Sequence, residues 1–383
     1  MSAPVSVPVL DVDALLDEPH TGIIVCCGSG GVGKTTTSAA LAVRAAMRGR
    51  KVVVLTIDPA RRLAQSMGIE KLDNTPRPVP LSDEAKGSLD AMMLDMKRTF
   101  DEVVTSQATP EKAQQILDNP FYVALSSSFA GTQEYMAMEK LGQIHRQAQV
   151  DDSYDLIVVD TPPSRSALDF LDAPERLSSF LDGRFIRLLL MPARGPARLM
   201  TAGVGLVTNA LTKILGAQVL RDVQTFVAAL DTLFGGFRQR AQKTFELLQA
   251  DGTAFLVVAA PEPDALREAA YFVERLSDEE MPLAGLVVNR ASTTSGEGLS
   301  AEEATAAADR LLRTDPASLT GGLLRVHADR ARMVAREARL RERFAAAHPR
   351  VPTVVVPALA GDVHDLDGLR EVGRLLAGTH LDG

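Results

Sequence analysis

The sequence has no surplus of basic charge. Its 41 Lys and Arg residues are outnumbered by 49 Asp and Glu, giving a net charge of −8 and a pI near 5.4. A dedicated nucleic-acid binder neutralises phosphates with a basic excess, so this balance argues against nucleic acid as a main partner. Cysteine is nearly absent as well, with only Cys26 and Cys27, side by side in an apolar run. Neighbours in a strand point to opposite faces and rarely pair, which leaves no disulfide framework and suits a reduced cytoplasm. No apolar run reaches the roughly 20 residues of a membrane span. The most apolar helical stretch, around Val204 to Leu220, is broken by Asn209, Lys213 and Gln218. Met1 to His20 carries Asp and Glu and lacks a basic stretch followed by an apolar core, so a signal peptide is not expected. The expectation is a soluble cytoplasmic protein, or one peripheral at the membrane. Internal repeats and low-complexity tracts are missing too.

What is present is ample material for a core: 46% of the 383 residues are apolar. Short unalternated apolar runs, rich in β-branched residues, recur at Gly22 to Cys27, Val52 to Ile57, Leu156 to Val159, Phe255 to Val258, Leu286 to Val288 and Val354 to Val356. Such runs predict strands covered on both faces, as in a parallel sheet. Helical patterns lie between them. One covers Lys34 to Arg48, and another, Ser300 to Leu312, opens with a capping box of Ser300 and Glu303. The predicted fold class is α/β, a doubly wound and mostly parallel sheet forming one domain over residues 1–383. Two long helical stretches, about 92–149 and 174–248, predict a helical subdomain built from two insertions. In the second, Val223, Phe226, Val227, Leu230, Leu233, Phe234 and Phe237 form a stripe at helical spacing. One helix packing on another accounts for such a stripe as well as a binding surface does.

The strongest chemical signal is the run Gly28, Ser29, Gly30, Gly31, Val32, Gly33, Lys34, Thr35, followed by Thr36. A phosphate-binding loop needs glycines because its backbone curls through conformations closed to side-chain-bearing residues, aiming successive N–H groups at an anion. Lys34 is placed to reach the β and γ phosphates and Thr35 to ligate Mg²⁺, while the helix that starts here turns its positive end to the phosphates. The expected ligands are ATP or ADP with Mg²⁺. Asp160 ends an apolar strand, the arrangement in which a carboxylate holds Mg²⁺ directly or through water, although a strand ending in Asp is also a common structural feature. Asp58 ends another strand before Pro59, where it can orient an attacking water or simply cap the next helix.

With these motifs, and with Asp58-Pro-Ala-Arg-Arg-Leu and Asp160-Thr-Pro-Pro-Ser-Arg-Ser, the chain resembles the arsenite-pump ATPase family, which includes the tail-anchored-protein targeting ATPases. Gly131-Thr-Gln-Glu-Tyr-Met, Leu286-Val-Val-Asn-Arg and Val355-Val-Pro extend the resemblance nearly end to end. It implies a dimer with nucleotides at the shared interface, closed by ATP and opened by hydrolysis. It also implies that Asp58 activates water, Asp160 lies on the Mg²⁺ side, Asn289 reads the adenine ring and Pro357 packs near the base. Taken alone, an Asn at a strand end is more often a turn former.

The chain also departs from the family. Where the family's loop carries a lysine that reaches the partner's phosphates, this chain has Ser29. The expectation is a homodimer of weak turnover, or a heterodimer with a paralogue that keeps the lysine, unless Arg61, Arg62 or Arg165 substitutes. The alternative is a regulatory nucleotide-binding subunit with little turnover of its own. Cys26 and Cys27 can build neither the zinc site of the targeting branch nor the metalloid site of the pumps, so no zinc is expected and arsenite efflux is disfavoured. In the targeting branch the helical subdomains hold a client membrane helix, and the stripe with Met136, Met138, Met191 and Met200 could contribute such a surface. A hydrophobic client helix or a membrane protein is therefore a possible partner.

Overall fold

The computed structural model describes residues 8–57, 62–120, 122–123, 132–162, 236, 239–294 and 299–378. The chain divides into two compact units. The first comprises Met1–Met93, Asp151–Leu168 and Leu248–Gly383, and the second Leu94–Val150 and Asp169–Leu247.

The first unit is built on eight strands: β1 (Ile23–Cys27), β2 (Lys51–Thr56), β3 (Arg77–Pro78), β4 (Ser88–Met93), β5 (Leu156–Asp160), β6 (Thr253–Ala259), β7 (Leu283–Ala291) and β8 (Thr353–Pro357). They lie in the order β3-β4-β2-β5-β1-β6-β7-β8, and every pairing is parallel except β3 with β4. The fold is thus α/β with a mostly parallel sheet. Each of the six apolar runs of the sequence coincides with a strand, with Gly22 and Ile57 lying one residue outside β1 and β2. Each residue of β1, β5 and β6 is buried, because helices cover both faces of the central strands.

Two strands carry no such signature. Ser88-Leu-Asp-Ala-Met-Met in β4 has no β-branched residue, and its central Asp90 is accommodated by accepting a hydrogen bond from Tyr154 Oη at 2.5 Å. β4 also takes Met92 and Met93, so the helical stretch expected from about residue 92 starts later.

The described helices of the first unit are α1 (Val12–Asp17), α2 (Lys34–Arg48), α3 (Arg62–Ser66), α7 (Pro263–Asp278), α8 (Ala301–Thr314), α9 (Leu319–Ala347) and α10 (Leu366–Leu376). The capping box forms as read: Glu303 N donates to Ser300 Oγ at 3.2 Å and Ser300 N to Glu303 Oε2 at 2.9 Å. α8 and α9 pack as a hairpin. Gly321 permits the close approach, since a Cβ there would lie 2.8 Å from Leu312 Cγ. Arg50, just before β2, ties several loops together. It donates to the carbonyls of Leu16, Glu18, Thr21 and Asp155 and pairs with the Asp155 carboxylate at 2.7 Å.

The second unit contains α4 (Met96–Gln107), α5 (Pro110–Leu117), most of α6 (Thr132–Asp151) and helical residues within 239–247. Asp95 sets the start of α4 by accepting from Arg98 N at 2.9 Å. Phe100 and Tyr122 stack edge to face, and Glu139, nearly buried, accepts from Arg240 Nε at 2.9 Å. Met136 and Met138 are buried inside this unit. Met191, Met200 and the stripe from Val223 to Phe237 lie outside the described residues.

Candidate functional site

β1 is flanked by β5 and β6, and its carboxyl end leads through residues 28–33 into α2. The curl of this loop is visible in its backbone: φ is +148° at Gly28, +77° at Gly31 and +95° at Gly33. Glycine is required at two of these positions on steric grounds also. A Cβ at Gly28 would lie 2.1 Å from the Val258 carbonyl oxygen, and one at Gly33 would lie 2.2 Å from Asn289 Nδ2. At Gly28 and Gly33 the loop therefore lies against β6 and β7 with no room for a side chain. Gly33 caps α2 without a side-chain hydrogen bond, so the first N–H groups of the helix keep their capacity to donate to an anion.

Lys34 is the first residue of α2 and is only 5% exposed; its Nζ donates to the Ser29 carbonyl at 2.7 Å. Ser29 is itself buried, at 8% exposure. Thr35 Oγ1 donates to Asp160 Oδ2 at 2.8 Å. Strand register explains the meeting. β5 lies between β1 and β2, which sets Asp160 opposite Cys26 on one side and Thr56 on the other. Thr56 Oγ1 donates to the same carboxylate oxygen at 2.9 Å, and Asp160 is fully buried. Thr161 Oγ1 closes the arrangement onto the Cys26 carbonyl at 2.9 Å.

A buried carboxylate beside a threonine hydroxyl, at the head of a helix whose N–H groups face outward, fits a hard cation bound together with phosphate. Magnesium of this kind takes one or two protein oxygens and completes its shell from phosphate and water. Among the described residues no group of three or more His, Cys, Asp or Glu side chains could hold a metal ion by itself.

Asn289, near the end of β7, donates through Nδ2 to the Val32 carbonyl at 2.9 Å. It also lines a cavity of about 450 Å³ together with Thr36 and Pro357, the wall being completed by Arg290 and residues 358–363. The fold thus brings Thr36, Asn289 and Pro357 to one cavity, next to the loop that carries Lys34. A second cavity of about 340 Å³ lies on the Ser29–Val32 side and is lined by Glu262, Asp264, Glu268 and Arg290. Asp58 and Arg61 lie outside the described residues, as does Arg165.

Three site residues were not singled out from the sequence. Thr56 orients Asp160, as described. Arg290, at φ +60°, donates through Nη1 to the Gly31 carbonyl at 2.9 Å, so it and Asn289 hold consecutive carbonyls of the loop. Glu337 of α9 accepts from Ser292 N at 2.7 Å and from Ser292 Oγ at 2.8 Å, fixing the segment that follows them. For Thr56 a signal existed, a hydroxyl at the carboxyl end of the strand before Asp58; for Glu337 there was none, since its partner lies 45 residues away.

Cys26 and Cys27 are fully buried in β1. Burial pushes the Cys26 thiol up to about 12 and raises that of Cys27 as well, so both are held as neutral, packed groups.

The chain is 26% identical to the ATPase GET3 of Candida glabrata over 273 residues, covering 69% of this chain and 70% of that protein. It is 26% identical to the ATPase get3 of Schizosaccharomyces pombe over 283 residues, covering 73% and 76%. An uncharacterized protein of Streptomyces coelicolor is 31% identical over 198 residues, 49% of this chain and 46% of that protein. The profile of the anion-transporting ATPases matches residues 21–298, well over half of the sequence and the part that carries the loop, Asp160 and Asn289, and the chain therefore belongs to the anion-transporting ATPase family.

Proposed function

We propose that this chain hydrolyses ATP with magnesium and uses the nucleotide state to switch a dimer, coupling that switch to a protein client or a membrane partner. The observation that carries the reading is the 2.8 Å bond from Thr35 to Asp160 directly behind the Lys34 loop. Magnesium, if bound here, would supply positive charge to offset what develops on the phosphates. Thr35 and Asp160 are the residues assigned to hold it, with Thr56 keeping the carboxylate in one orientation. The loop amides and the first turn of α2 bind phosphate, and Lys34 supplies the cation for the outer phosphates. Asn289 and Pro357 are assigned to the base, in the cavity they share with Thr36. Asp58 is assigned to orient the attacking water, on the strength of its place in the sequence just after β2.

Titration of ATP and ADP into the purified chain, with and without Mg²⁺, tests this directly. Lys34→Ala should abolish nucleotide binding, and Asp160→Asn should remove its dependence on Mg²⁺. Asp58→Asn should keep binding and lose turnover.

Ser29 supports a second reading, a regulatory subunit that binds nucleotide with little turnover. Its side chain carries no cation, and it sits buried with its carbonyl engaged by Lys34. The cation that stabilises the phosphoryl charge, worth roughly 10³ to 10⁵ in rate in related arginine-finger systems, would then come from a paralogue. Fast turnover by the pure chain, lost in Lys34→Ala, rules out that requirement. Tight binding without turnover, restored by a lysine-bearing paralogue, establishes it. For the client, Phe226→Asp with Val227→Asp should leave nucleotide binding intact and abolish capture of an apolar helix.

A further inference from the structure

The longest described helix, α9, carries an apolar line at alternating four- and three-residue steps: Leu319, Leu323, Val326, Met333, Leu340 and Phe344, interrupted by Arg330 and Glu337 at the two remaining positions. Near its C-terminal end the line is packed in, with Phe344 only 7% exposed. Towards the N-terminus it runs open: Leu319 is 78% exposed, Leu323 62%, Val326 65% and Met333 54%. α8 does not cover it, because α9 meets that helix through Gly321 against Leu312, Arg325 against Asp309 and Arg332 against Thr305, away from this line. Four large apolar side chains on one exposed helical line are not a requirement of the fold and mark a contact surface.

Charge indicates what the surface meets. α9 holds seven arginines against three carboxylates, in a chain whose net charge is −8. Arg325, Arg332, Arg336, Arg339 and Arg343 form a second line beside the apolar one. Arg325 pairs with Asp309 and Arg332 with Asp329, while Arg336, Arg339 and Arg343 form no ion pair among the described residues. An antiparallel second copy of this helix would set the two arginine lines side by side. A bilayer with anionic headgroups complements both lines at once, taking the leucines into its interface and the guanidinium groups at its phosphates. Among the described residues no helix is long and apolar enough to cross a membrane, so α9 would lie in the plane of the surface.

We propose that the exposed side of α9, its open apolar turns from Leu319 to Met333 with the arginines that follow at Arg336, Arg339 and Arg343, is a docking face for an anionic lipid surface. The proposal does not depend on the ATPase reading, because none of these side chains belongs to the nucleotide site.

Flotation of the full chain tests it, with vesicles of phosphatidylcholine containing roughly 30 mol % phosphatidylglycerol compared with pure phosphatidylcholine. The expected result is binding to the mixed vesicles alone, weakened by salt. Replacing Arg336 or Arg339 by alanine should weaken it about fivefold each, and Leu323→Ser with Val326→Ser should lower it more than about tenfold. Equal binding to both vesicle types overturns the proposal, as does no binding to the anionic ones or full binding by the double serine variant. A dimer that this variant splits, without any lipid binding, assigns the face to a second copy and also overturns it. All the substitutions are at exposed positions, so ATP binding and thermal unfolding should be unchanged in every variant.

Discussion

Thr35 and Asp160, 125 residues apart in the chain, meet in a 2.8 Å hydrogen bond, and Thr56 donates to the same carboxylate oxygen at 2.9 Å. Two hydroxyls therefore fix one fully buried carboxylate, each from a different neighbouring strand or from the helix that follows it.

That arrangement separates a ligand from a support. Thr35→Val removes an oxygen at nearly constant volume and should lower ATP turnover by at least about 100-fold, whereas Thr35→Ser should retain most of it. Thr56→Val leaves the cation's oxygens in place and should instead cost about 1–3 kcal/mol of stability, because a buried charged acceptor loses a donor. Steady-state hydrolysis and urea unfolding of the three variants distinguish the two roles.

Gly28 and Gly31 both have positive φ but differ in their surroundings. A Cβ at Gly28 meets the Val258 carbonyl at 2.1 Å, while one at Gly31 meets nothing within 4 Å. Gly31→Ala should cost about 1–2 kcal/mol, the strain of a left-handed residue. Gly28→Ala should cost more than about 3 kcal/mol, since β1 and β6 would have to separate. Equal unfolding midpoints for the two variants would show that the close packing of the loop does not matter.

Arg50 makes its hydrogen bonds as a planar fork, and a lysine cannot reproduce them. Arg50→Lys should therefore destabilise the first unit by about 2–4 kcal/mol. Denaturant unfolding measures this directly, and a change within about 0.5 kcal/mol would mean that the loops hold their positions unaided.

The buried thiols give a pH dependence of known sign. Cys26 ionises near 9.0 in its ordinary state and at about 12 in the fold, and Cys27 shifts in the same direction. A raised folded value means that their stabilising contribution is intact below pH 9 and falls away as pH rises towards 12, because only the unfolded chain releases the protons. The loss approaches about 1.4 kcal/mol per pH unit for each thiol. Unfolding midpoints at pH 8 and pH 10 should fall accordingly, and Cys26→Ala with Cys27→Ala should flatten the slope. In the native chain neither thiol should react with a disulfide reagent at pH 8.

Much of this protein is legible in its sequence, because the relevant physics is local. The strands β1, β2, β5, β6, β7 and β8 announce themselves as apolar runs, since a strand buried on both faces has no use for alternation. The glycines of residues 28–33 and the lysine and threonine after them are adjacent in the chain, so the loop's chemistry is written consecutively. β4 was not legible because Ser88-Leu-Asp-Ala-Met-Met lacks β-branched residues and carries a charge, which the distant Tyr154 accommodates.

By itself, then, the sequence determined the α/β class, the loop, the helix that starts at Lys34 and the strand that ends in Asp160. Tertiary structure alone decided that β5 lies between β1 and β2, which sets Asp160 against Thr35 and Thr56. It alone placed Asn289 and Arg290 on the loop's carbonyls, and left one half of the apolar line of α9 buried and the other half open. The reason is common to all of these. Strand order and helix packing depend on contacts between residues far apart in the chain, and no local preference records which distant surface a side chain will meet.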